Sequence, residues 1–553
     1  MSADLFDRAR EWLAEDPDED TRTELEALLV TGDIEEVADR FAGSLAFGTA
    51  GLRGALGAGP NRMNRAVVIR AAAGLAAYLR AHGGGSVVIG YDARHKSDIF
   101  ATDTADVLAG AGLTAYVLPR PLPTPVLAFA IRNLGCAAGV MVTASHNPPQ
   151  DNGYKVYVGG LQIVAPVDAE ISAEIQAVGA LADVPRATTW TRLGDEVLDA
   201  YLNRAASLVA PAAPRELTIA YTPLHGVGRD VVLEAFARAG FDAPHVVTAQ
   251  GSPDPDFPTV AFPNPEEPGA IDLAVAAGRS FDADLVLAND PDADRCAVAV
   301  PLPDGSWRML RGDEVGALLA THVLHRGRRG ALACSIVSSS LLGEIASAAE
   351  PPLPQVETLT GFKWIARVPG LVYGYEEALG YCVDPEAVSD KDGVTAALLV
   401  AEMAAGLKAE GRSLLDVLDD LARAHGLHAT DQLSVRFTDL DEIPAVMQRL
   451  RSTAARTLGG LPVLSVDDLG VGSSDLPPTD GLRYHLGSDG ADVSSGRVVI
   501  RPSGTEPKIK AYLEVVLPVL AGEDDLSGVR RTAAARLAAV SRDVAAMAGF
   551  TPA

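Results

Sequence analysis

Lysine is scarce in this chain of 553 residues: it supplies seven of the 46 basic side chains, and arginine supplies the rest. Basic charge as a whole is also short, because 73 acidic residues leave a formal net charge of −27 at pH 7. An acidic surface repels phosphate backbones and anionic headgroups. We therefore expect neither nucleic acid nor an anionic membrane as a partner.

Cysteine and long apolar runs are scarce too. The four cysteines lie far apart without a CxxC pair, which argues against a disulfide framework and a structural zinc site; they are Cys136, Cys296, Cys334 and Cys382. No uninterrupted apolar run approaches the roughly 18 residues of a membrane span. The acidic start MSADLFDRAREWLAEDPDED lacks the basic and apolar regions of a secretory signal. These absences predict a soluble, cytoplasmic protein with reduced cysteines.

Apolar stretches of strand length alternate with Ala-rich helical stretches from about residue 65, an alternation typical of βαβ units with mixed or parallel sheets. Examples of the strands are SVVIGYDAR, GVMVTAS, LTIAYTPLHGVG and DLVLAND. Residues 1 to about 40 show helical spacing of apolar residues, which predicts helices that brace the following domain. From about residue 430, the strands VRF, RVVI and AYLEVVL and a closing helix indicate an α+β domain.

The length suggests three or four domains, and breaks rich in Pro, Gly or basic residues fall at 208–216, at 325–330 and after 414–426. These breaks predict four domains: 1–207, 208–325, 326–429 and 430–553.

The segment GVMVTASHNPPQDNGYKVY places Ser145 where a buried strand gives way to a polar loop, a frequent location of catalytic groups in α/β proteins. His146 suggests a serine hydrolase, but adjacent side chains on an extended chain point apart. The GxSxG elbow is also missing. An acyl-transfer nucleophile is therefore not expected, and a turn built from Ser, Asn and Pro is the structural alternative.

The segment DLVLANDPDADRCAV has Asp290, Asp292 and Asp294 at alternate positions after a buried strand. Carboxylates this close repel one another unless a hard cation joins them, and oxygen ligands favour Mg²⁺ or Ca²⁺ over zinc. The EF-hand spacing fails, and the DxDx[TV] phosphatase pattern is weak because Asp294 stands where Thr or Val is required. An acidic, solvated loop is the alternative.

Two further segments are candidates for ligand contact. Glu376 and Glu377 follow a predicted strand and can accept hydrogen bonds from sugar hydroxyls. The alternative is that the two glutamates open a helix and interact favourably with its dipole, which is the more frequent role of such a pair. The second segment is VVIRPSGTEPKIKAY, which combines small residues with hydroxyl and cationic side chains. Backbone N–H groups, hydroxyls and cations are the donors that bind a phosphate. A Pro-Gly turn between a strand and a helix is the alternative there.

Two Gly-rich turns each carry one cation: Arg53 follows Gly48-Thr49-Ala50-Gly51, and Lys363 lies in LTGFKWI. Both can be merely structural. Five of the seven lysines nevertheless fall in or beside these candidate segments, at positions 155, 363, 391, 508 and 510. Because lysine is a compact point charge with a readily shifted pKa, lysines retained in an Arg-rich chain are candidates for functional roles.

Taken in order, TASHNP, DPDADR, GYEEALG and RPSGTEPKIK resemble the four functional loops of the α-D-phosphohexomutase superfamily, the phosphoglucomutases and phosphomannomutases. The resemblance spans residues from about 45 to 515. It implies an α/β protein of four domains around a central cleft: three similar domains with mixed α/β sheets and a C-terminal α+β domain.

The resemblance also implies roles for individual residues. Ser145 is expected to carry a phosphoryl group, and Asp290, Asp292 and Asp294 are expected to hold one Mg²⁺ against it, with Ser145 as a further ligand. Arg53, Lys155 and Arg295 are expected around the phosphoserine, with Lys155 as a candidate general acid/base. The expected substrate-binding residues are Glu376, Glu377, Lys363, Lys391, Arg501, Ser503, Gly504, Thr505 and Lys508.

The activity implied is interconversion of a hexose 1-phosphate and a hexose 6-phosphate through a bisphosphate, with a sugar 1,6-bisphosphate as activator and a small sugar phosphate as partner. The EEALG loop, its insert around Lys391 and the LTGFKWI loop look closer to the branch that also contains phosphopentomutases. Hexose versus pentose therefore stays open, and so does the oligomeric state. A metal-dependent phosphatase and a non-catalytic phosphosugar sensor are the alternatives from other classes.

Overall fold

The computed structural model describes residues 2–49, 51–437, 441–473, 476–503, 508–520 and 525–550. The chain forms two compact units: Met1–Leu310 with Gly380–Gly406 is unit 1, and Arg311–Leu379 with Leu407–Ala553 is unit 2. Of the helices described, none is both long enough and apolar enough to cross a bilayer.

Unit 1 begins with the predicted N-terminal helices, which are α1 (Ser2–Glu15), α2 (Glu19–Thr31) and α3 (Ile34–Arg40). Asp18 caps α2 and Asp33 caps α3 by accepting hydrogen bonds from backbone N–H groups of the first turn. Apolar residues spaced for one helix face meet in a small core that includes Ala9, Leu25 and Val37. The prediction of helices over residues 1 to about 40 is confirmed.

The first sheet has the strand order β1-β5-β4-β2-β3-β7, with β6 paired to β5. Strands β4, β2, β3 and β7 are parallel, and β5 pairs antiparallel with both β4 and β1 at one edge. The elements are β1 (Leu52–Ala55), α4 (Arg65–Ala81), β2 (Ser86–Tyr91), α5 (Ser97–Gly110), β3 (Thr114–Val117), α6 (Thr124–Asn133), β4 (Ala138–Val142), β5 (Asp151–Val158), β6 (Leu161–Gln162), α7 (Val167–Gln176), a 3₁₀ turn (Leu181–Asp183), β7 (Thr191–Arg192) and α8 (Glu196–Ser207).

The second sheet of unit 1 has the order β12-β11-β10-β8-β9 and is also mixed: β10, β8 and β9 are parallel, whereas β11 and β12 are paired antiparallel. Continuous apolar runs form β8 and β10, which are buried on both faces. The elements are β8 (Ile219–Thr222), α9 (Gly228–Arg238), β9 (His245–Val246), a 3₁₀ turn (Thr248–Gln250), α10 (Asp272–Ser280), β10 (Leu285–Ala288), β11 (Ala297–Pro301) and β12 (Trp307–Met309).

Unit 2 begins with a third α/β sheet in which β13 pairs in parallel with β14 and β15. Its elements are α11 (Gly312–His325), β13 (Ala331–Ser335), α12 (Leu341–Ala348), β14 (Gln355–Thr358), α13 (Phe362–Ile365) and β15 (Leu371–Glu376). The chain then adds β16 (Gly380–Cys382) and most of α14 (Gly393–Ala409) to unit 1 before α15 (Leu414–His425) continues unit 2.

The last part of unit 2 is an antiparallel sheet in the order β17-β22-β21-β20-β19-β18. Its apolar face packs against the helices α16 and α17. The elements are β17 (Leu427–Arg436), α16 (Glu442–Ser452), β18 (Thr457–Leu458), β19 (Leu461–Asp468), β20 (Leu482–Leu486), β21 (Ser495–Pro502), β22 (Lys508–Leu517) and α17 (Ser527–Ala548). Three mixed or parallel α/β sheets followed by an α+β layer confirm the predicted fold class, whereas the four domain boundaries stay predictions.

Candidate functional site

Ser145 lies just beyond β4, in a backbone conformation that is rare for a residue with a side chain. Its φ is +53°, in the left-handed region, where a non-glycine residue is strained. Its N–H donates to Thr143 Oγ1 at 2.9 Å, and its hydroxyl Oγ donates to Asp290 Oδ2 at 2.9 Å. The hydroxyl is therefore aimed at the carboxylates that follow β10.

The side chain of His146 turns toward Ser145, contrary to the prediction. Its Nδ1 lies 3.1 Å from Ser145 Oγ, although adjacent side chains were expected to point apart. That expectation assumed an extended chain, and the left-handed φ of Ser145 turns the two side chains toward each other. Burial, followed by the cations Arg295 and Arg53, lowers the pKa of His146 well below its ordinary value, so its imidazole is neutral.

The acidic triad, which we define as Asp290, Asp292 and Asp294, is buried: each residue is at most 1% exposed. One oxygen from each carboxylate lies within 4.8 Å of the others. Ala293, at φ +53°, makes the tight turn that brings them together. Within the described residues, Oδ1 of Asp292 and Oδ1 of Asp294 have no hydrogen-bond partner.

A buried carboxylate oxygen without a donor is costly unless a cation coordinates it. The acidic triad supplies hard oxygen ligands from three side chains, the set that Mg²⁺ and Ca²⁺ prefer. The residues present therefore fit a divalent metal ion.

Three cations surround the acidic triad. Lys155 Nζ lies 2.8 Å from Asp292 Oδ2 and 3.2 Å from Asp294 Oδ2, and Lys391 Nζ lies 3.0 Å from the same Asp294 oxygen. Arg295 Nε is 3.9 Å from both Asp290 and Asp294. The buried cluster thus sets three cationic side chains against three carboxyl groups.

The pKa shifts follow from burial and these neighbours. Burial, reinforced by Asp292 and Asp294, raises the pKa of Asp290 well above its ordinary value. Burial also opposes ionisation of Asp294, but Lys391 and Lys155 outweigh it and lower the pKa of Asp294. Burial opposes the charge of Lys155 as well, yet Asp292 and Asp294 raise the pKa of Lys155 above its ordinary value. Lys155 is therefore an ammonium ion at neutral pH.

Lys391 lies in this cluster because its segment, which belongs to unit 1, is anchored to β5, β6 and α8 of the same unit. Asp390 accepts hydrogen bonds from Tyr157 Oη and Gln162 Nε2, each at 2.7 Å. Arg204 makes a two-pronged ion pair with Asp384 at 2.6 and 2.8 Å. The sequence did not predict that Lys391 pairs with Asp294, and its contact with substrate stays a prediction.

Arg53 lies on β1, whose pairing with β5 sets Arg53 opposite Gly153. Its NH1 is 3.4 Å from Asn147 Oδ1, so it reaches the loop that carries Ser145. The turn before it requires glycine at position 51, where φ is +75° and a Cβ would lie 1.9 Å from the carbonyl oxygen of Tyr154. Burial lowers the pKa of Arg53, although the nearby Asp292 raises it in part.

Glu376 and Glu377, the predicted sugar-binding pair, lie in unit 2 at the end of β15. Glu376 Oε1 accepts the N–H of Gly361 at 2.7 Å. Glu377 Oε2 accepts the hydroxyls of Ser335 and Ser338, both at 3.0 Å. Glu376 ends β15 and Glu377 begins a turn, so the alternative that they open a helix is wrong. Lys363 lies nearby in sequence on α13 and also belongs to unit 2.

The predicted phosphate-binding segment joins two antiparallel strands of unit 2, so the alternative of a turn between a strand and a helix is wrong. Arg501 lies on β21 opposite Lys510 of β22. Ser503 N–H donates to the carbonyl oxygen of Lys508 at 2.8 Å. Gly504 and Thr505 lie outside the described residues.

Several residues that hold the site together were missed from the sequence. Thr124, the first residue of α6, donates its hydroxyl to Asp292 Oδ2 at 2.6 Å. Asn289 donates Nδ2 to the carbonyl oxygen of Arg295 at 2.5 Å and accepts the hydroxyl of Tyr221 at 2.8 Å. Arg94 donates to the carbonyl oxygen of Ser145 at 2.7 Å. Arg94 alone had a signal, because it is the last residue of the predicted strand segment SVVIGYDAR and so lies at a strand end, as the candidate loops do.

Four successive stretches of the chain match models of one protein family. Residues 44–181, 199–303 and 311–424 match the phosphoglucomutase/phosphomannomutase alpha/beta/alpha domains I, II and III, and residues 488–519 match the C-terminal domain of the same family. A Haemophilus influenzae protein with the name "Probable phosphomannomutase" is 48% identical over 462 residues, which cover 82% of this chain and 93% of that protein. The chain belongs to the phosphoglucomutase/phosphomannomutase family.

Other relatives extend this picture. The human protein named phosphopentomutase is 34% identical over 93% of this chain and 92% of its own length. The crystal structure of a Thermus thermophilus protein assigned as a phosphomannomutase superposes with a TM-score of 0.70 at 26% identity, and it covers 91% of this chain and 99% of that chain. Membership in the phosphoglucomutase/phosphomannomutase family makes this chain an enzyme, a phospho-sugar mutase, and confirms the resemblance, the four-domain fold and the reaction class predicted from the sequence.

Proposed function

We propose that the chain interconverts a hexose 1-phosphate and the corresponding hexose 6-phosphate, with glucose or mannose as the sugar, through a phosphorylated Ser145 and a sugar bisphosphate. One observation carries the proposal: a strained serine after β4 donates its hydroxyl, at 2.9 Å, to a buried triad of carboxylates that fits a divalent metal. Strain stored at a loop residue is typical of a functional site.

In the first transfer, the P–Oγ bond of phosphorylated Ser145 breaks and a bond forms between phosphorus and the free hydroxyl oxygen of the sugar monophosphate. Lys155 is proposed as the acid/base. It gives its proton to Oγ as the phosphoryl group leaves and takes the proton of the attacking hydroxyl, so the number of protons is unchanged. The raised pKa of Lys155 supports a protonated resting form that begins as the acid.

In the second transfer, the other phosphoryl group of the bisphosphate returns to Ser145 and the same steps run in reverse. Arg53 and Arg295 are proposed to neutralise phosphoryl oxygens beside Ser145, since phosphoryl transfer depends on positioning and charge stabilisation. A free sugar 1,6-bisphosphate is proposed as the activator because it phosphorylates an unphosphorylated Ser145.

We propose that the metal is one Mg²⁺ per chain, held by Asp290, Asp292 and Asp294 together with the phosphoryl group on Ser145. When bound, the ion supplies charge neutralisation at the transferring phosphoryl oxygens. The two donor-free carboxylate oxygens of the acidic triad support this assignment.

The substrate contacts are proposals for unit 2 and for Lys391. Glu376 and Glu377 are proposed to accept hydrogen bonds from sugar hydroxyls, with Lys363 and Lys391 close to the sugar phosphate. The proposed ligands of the phosphate that does not react are Arg501, Ser503, Gly504, Thr505 and Lys508. The cationic side chains and hydroxyls among these residue types are the donors that such a phosphate needs. The cytoplasmic location stays a prediction.

A phosphopentomutase is the second candidate, because the human relative carries that name at 34% identity. A ³¹P NMR time course with Mg²⁺ and a trace of glucose 1,6-bisphosphate decides between the sugars. Separate samples contain α-glucose, α-mannose or α-ribose 1-phosphate. We expect the fastest conversion to the terminal phosphate with a hexose. A catalytic efficiency for ribose 1-phosphate well above that for both hexoses contradicts the hexose assignment.

The same spectra separate the mutase from the other classes. Inorganic phosphate that appears as fast as the substrate disappears supports a phosphatase, and unchanged spectra support a sensor. Ser145→Ala is expected to lose mutase turnover, and a Ser145→Ala protein with full turnover contradicts the phosphoserine mechanism.

A further inference from the structure

Arg94 is a buried arginine in the segment after β2, and its side chain reaches the loop that carries Ser145. It is 4% exposed, although arginine is rarely buried without a specific set of partners. NH2 donates to the carbonyl oxygen of Ser145 at 2.7 Å and to that of Asn147 at 2.5 Å. NH1 donates to the carbonyl oxygens of Pro148 at 2.9 Å and Asp151 at 3.0 Å.

These four bonds use the four terminal N–H groups of the guanidinium on four carbonyl groups within one seven-residue loop. A planar fork with fixed donor directions can do this, and a single ammonium group cannot. A loop carbonyl group that is buried must otherwise find another donor. Arg94 therefore fixes the path of residues 145–151 from inside.

Arg94 is in turn held from two other sides. Its Nε lies 3.4 Å from Asp92 Oδ2, and the Asp92 Oδ1 atom accepts the N–H of Arg94 at 3.0 Å. The guanidinium also lies over the ring of Phe257, 4.9 Å from the ring centroid. Contacts from the second sheet region of unit 1 and from the end of β2 thus restrain the same side chain.

We propose that Arg94 is a positioning residue for the phosphoryl-carrying serine: it holds the loop of Ser145 in the strained conformation that aims Oγ at Asp290. The inference deepens the proposed function and rests on it. Ser145 at φ +53° does not keep that conformation without support. Thr143 supports it by accepting the N–H of Ser145, and Arg94 makes the bonds to the Ser145 carbonyl oxygen and to the residues that follow.

The position of Arg94 predicts that its loss affects kcat and KM differently. Its contacts are with the loop backbone, Asp92 and Phe257, all in unit 1, whereas Glu376, Glu377 and Arg501 belong to unit 2. Loss of the guanidinium should therefore lower kcat and leave KM for the sugar phosphate nearly unchanged. A displacement of about 1 Å at a reacting group lowers the rate by about a hundredfold, and we expect a loss of that size.

The test compares Arg94→Lys, which keeps the charge but not the fork, and Arg94→Ala with the wild-type enzyme in the mutase assay with Mg²⁺ and glucose 1,6-bisphosphate. Arg120→Lys is the matched control, because Arg120 is half exposed and pairs at the surface with Asp195. Folded fraction is measured by circular dichroism, and guanidinium chloride at millimolar concentration is added to Arg94→Ala. A merely structural role would not give kinetic rescue by a small guanidinium ion.

We expect Arg94→Lys to fold and to lose kcat about a hundredfold, and we expect guanidinium to restore turnover of Arg94→Ala in a saturable manner. A folded Arg94→Lys protein with wild-type kcat overturns the assignment. So does a loss of kcat that only matches the loss of folded protein, and so does failure of both variants to fold, since Arg94 is then a stability residue. Absence of turnover in the wild-type enzyme contradicts the proposed function instead.

Discussion

Replacement of Asp294 by asparagine tests the charge balance of the acidic triad. Lys391 Nζ and Lys155 Nζ meet one carboxylate oxygen of Asp294, at 3.0 and 3.2 Å, and both lysines are less than a tenth exposed. Asp294→Asn keeps the shape but removes the negative charge between two buried ammonium groups. Removal of one partner from a buried ion pair costs about 3–5 kcal/mol.

This loss can be converted into a melting temperature. Unfolding entropy is about 2.1 cal/mol/K per residue, or about 0.7 kcal/mol/K for a cooperative unit of roughly 340 residues, the size of unit 1. The loss therefore corresponds to a fall of about 4–7 °C. A saturating cation, at about a hundred times its dissociation constant, stabilises the wild type by about 2.7 kcal/mol, which corresponds to about 4 °C.

The assay is differential scanning calorimetry of chelator-treated protein with and without added Mg²⁺. Asp304→Asn is the matched control, because Asp304 is exposed and accepts hydrogen bonds from Ser306 within its own turn. We expect Asp304→Asn to match the wild type, and Asp294→Asn to melt earlier without any gain from Mg²⁺. If Asp294→Asn melts with the wild type and still gains stability from Mg²⁺, both the charge balance and the metal assignment are wrong.

Three further results follow from single side chains. Burial raises the pKa of Asp313 to about 7. The stability from its proton is therefore fully present below the ordinary value of 3.8 and is lost progressively as the pH rises from there through 7. Asp313→Asn should raise the melting temperature more at pH 8 than at pH 5, and equal shifts at both would contradict this. Gly226→Ala places a Cβ 2.3 Å from the backbone of Pro291 and should lower the free energy of unfolding by about 1–3 kcal/mol. Gly406 lies in a helix with open space around it, so Gly406→Ala should raise the free energy of unfolding by up to about 1 kcal/mol. Calorimetry that reverses this order rejects the packing argument. Glu377→Gln should lower kcat/KM by about tenfold or more, since a hydrogen bond to a charged group contributes about 1.5–3 kcal/mol, and wild-type steady-state kinetics would remove Glu377 from the substrate contacts.

The positions of Ser145 and the acidic triad follow from local sequence patterns. Both come directly after continuous apolar runs, AGVMV and LVLA, which form parallel strands β4 and β10 buried on both faces. Catalytic loops in α/β proteins lie at the carboxyl ends of such strands. The strand ends and the spacing of the carboxylates therefore identified these residues as candidates, and the resemblance to the family supplied their predicted roles.

Contacts between segments distant in sequence could not be predicted in the same way. Lys391 meets Asp294 across nearly a hundred residues because Tyr157, Gln162 and Arg204 anchor its segment. Arg94 meets the loop of Ser145 across about fifty residues, through carbonyl groups that have no sequence signature. Periodicity reports which face of an element is buried, and it does not report which loops meet.

The turn at Ser145 shows a second limit. The residues Thr-Ala-Ser-His indicate a loop, but they do not indicate φ +53° at a serine, which few side chains adopt. That conformation depends on the hydrogen bond from the serine N–H to Thr143 and on the donor from Arg94. The predicted separation of Ser145 and His146 was wrong for this reason.

The most direct test of the central claim is to follow the phosphoryl group through Ser145. The enzyme is incubated with glucose 1,6-bisphosphate labelled in its phosphoryl groups, and the labelled peptide is identified by mass spectrometry. Unlabelled glucose 1-phosphate is then added as a chase. The account predicts label on Ser145 alone and its transfer to sugar bisphosphate within one turnover. Mutase turnover with no label on Ser145, or with label that the chase does not remove, would contradict it.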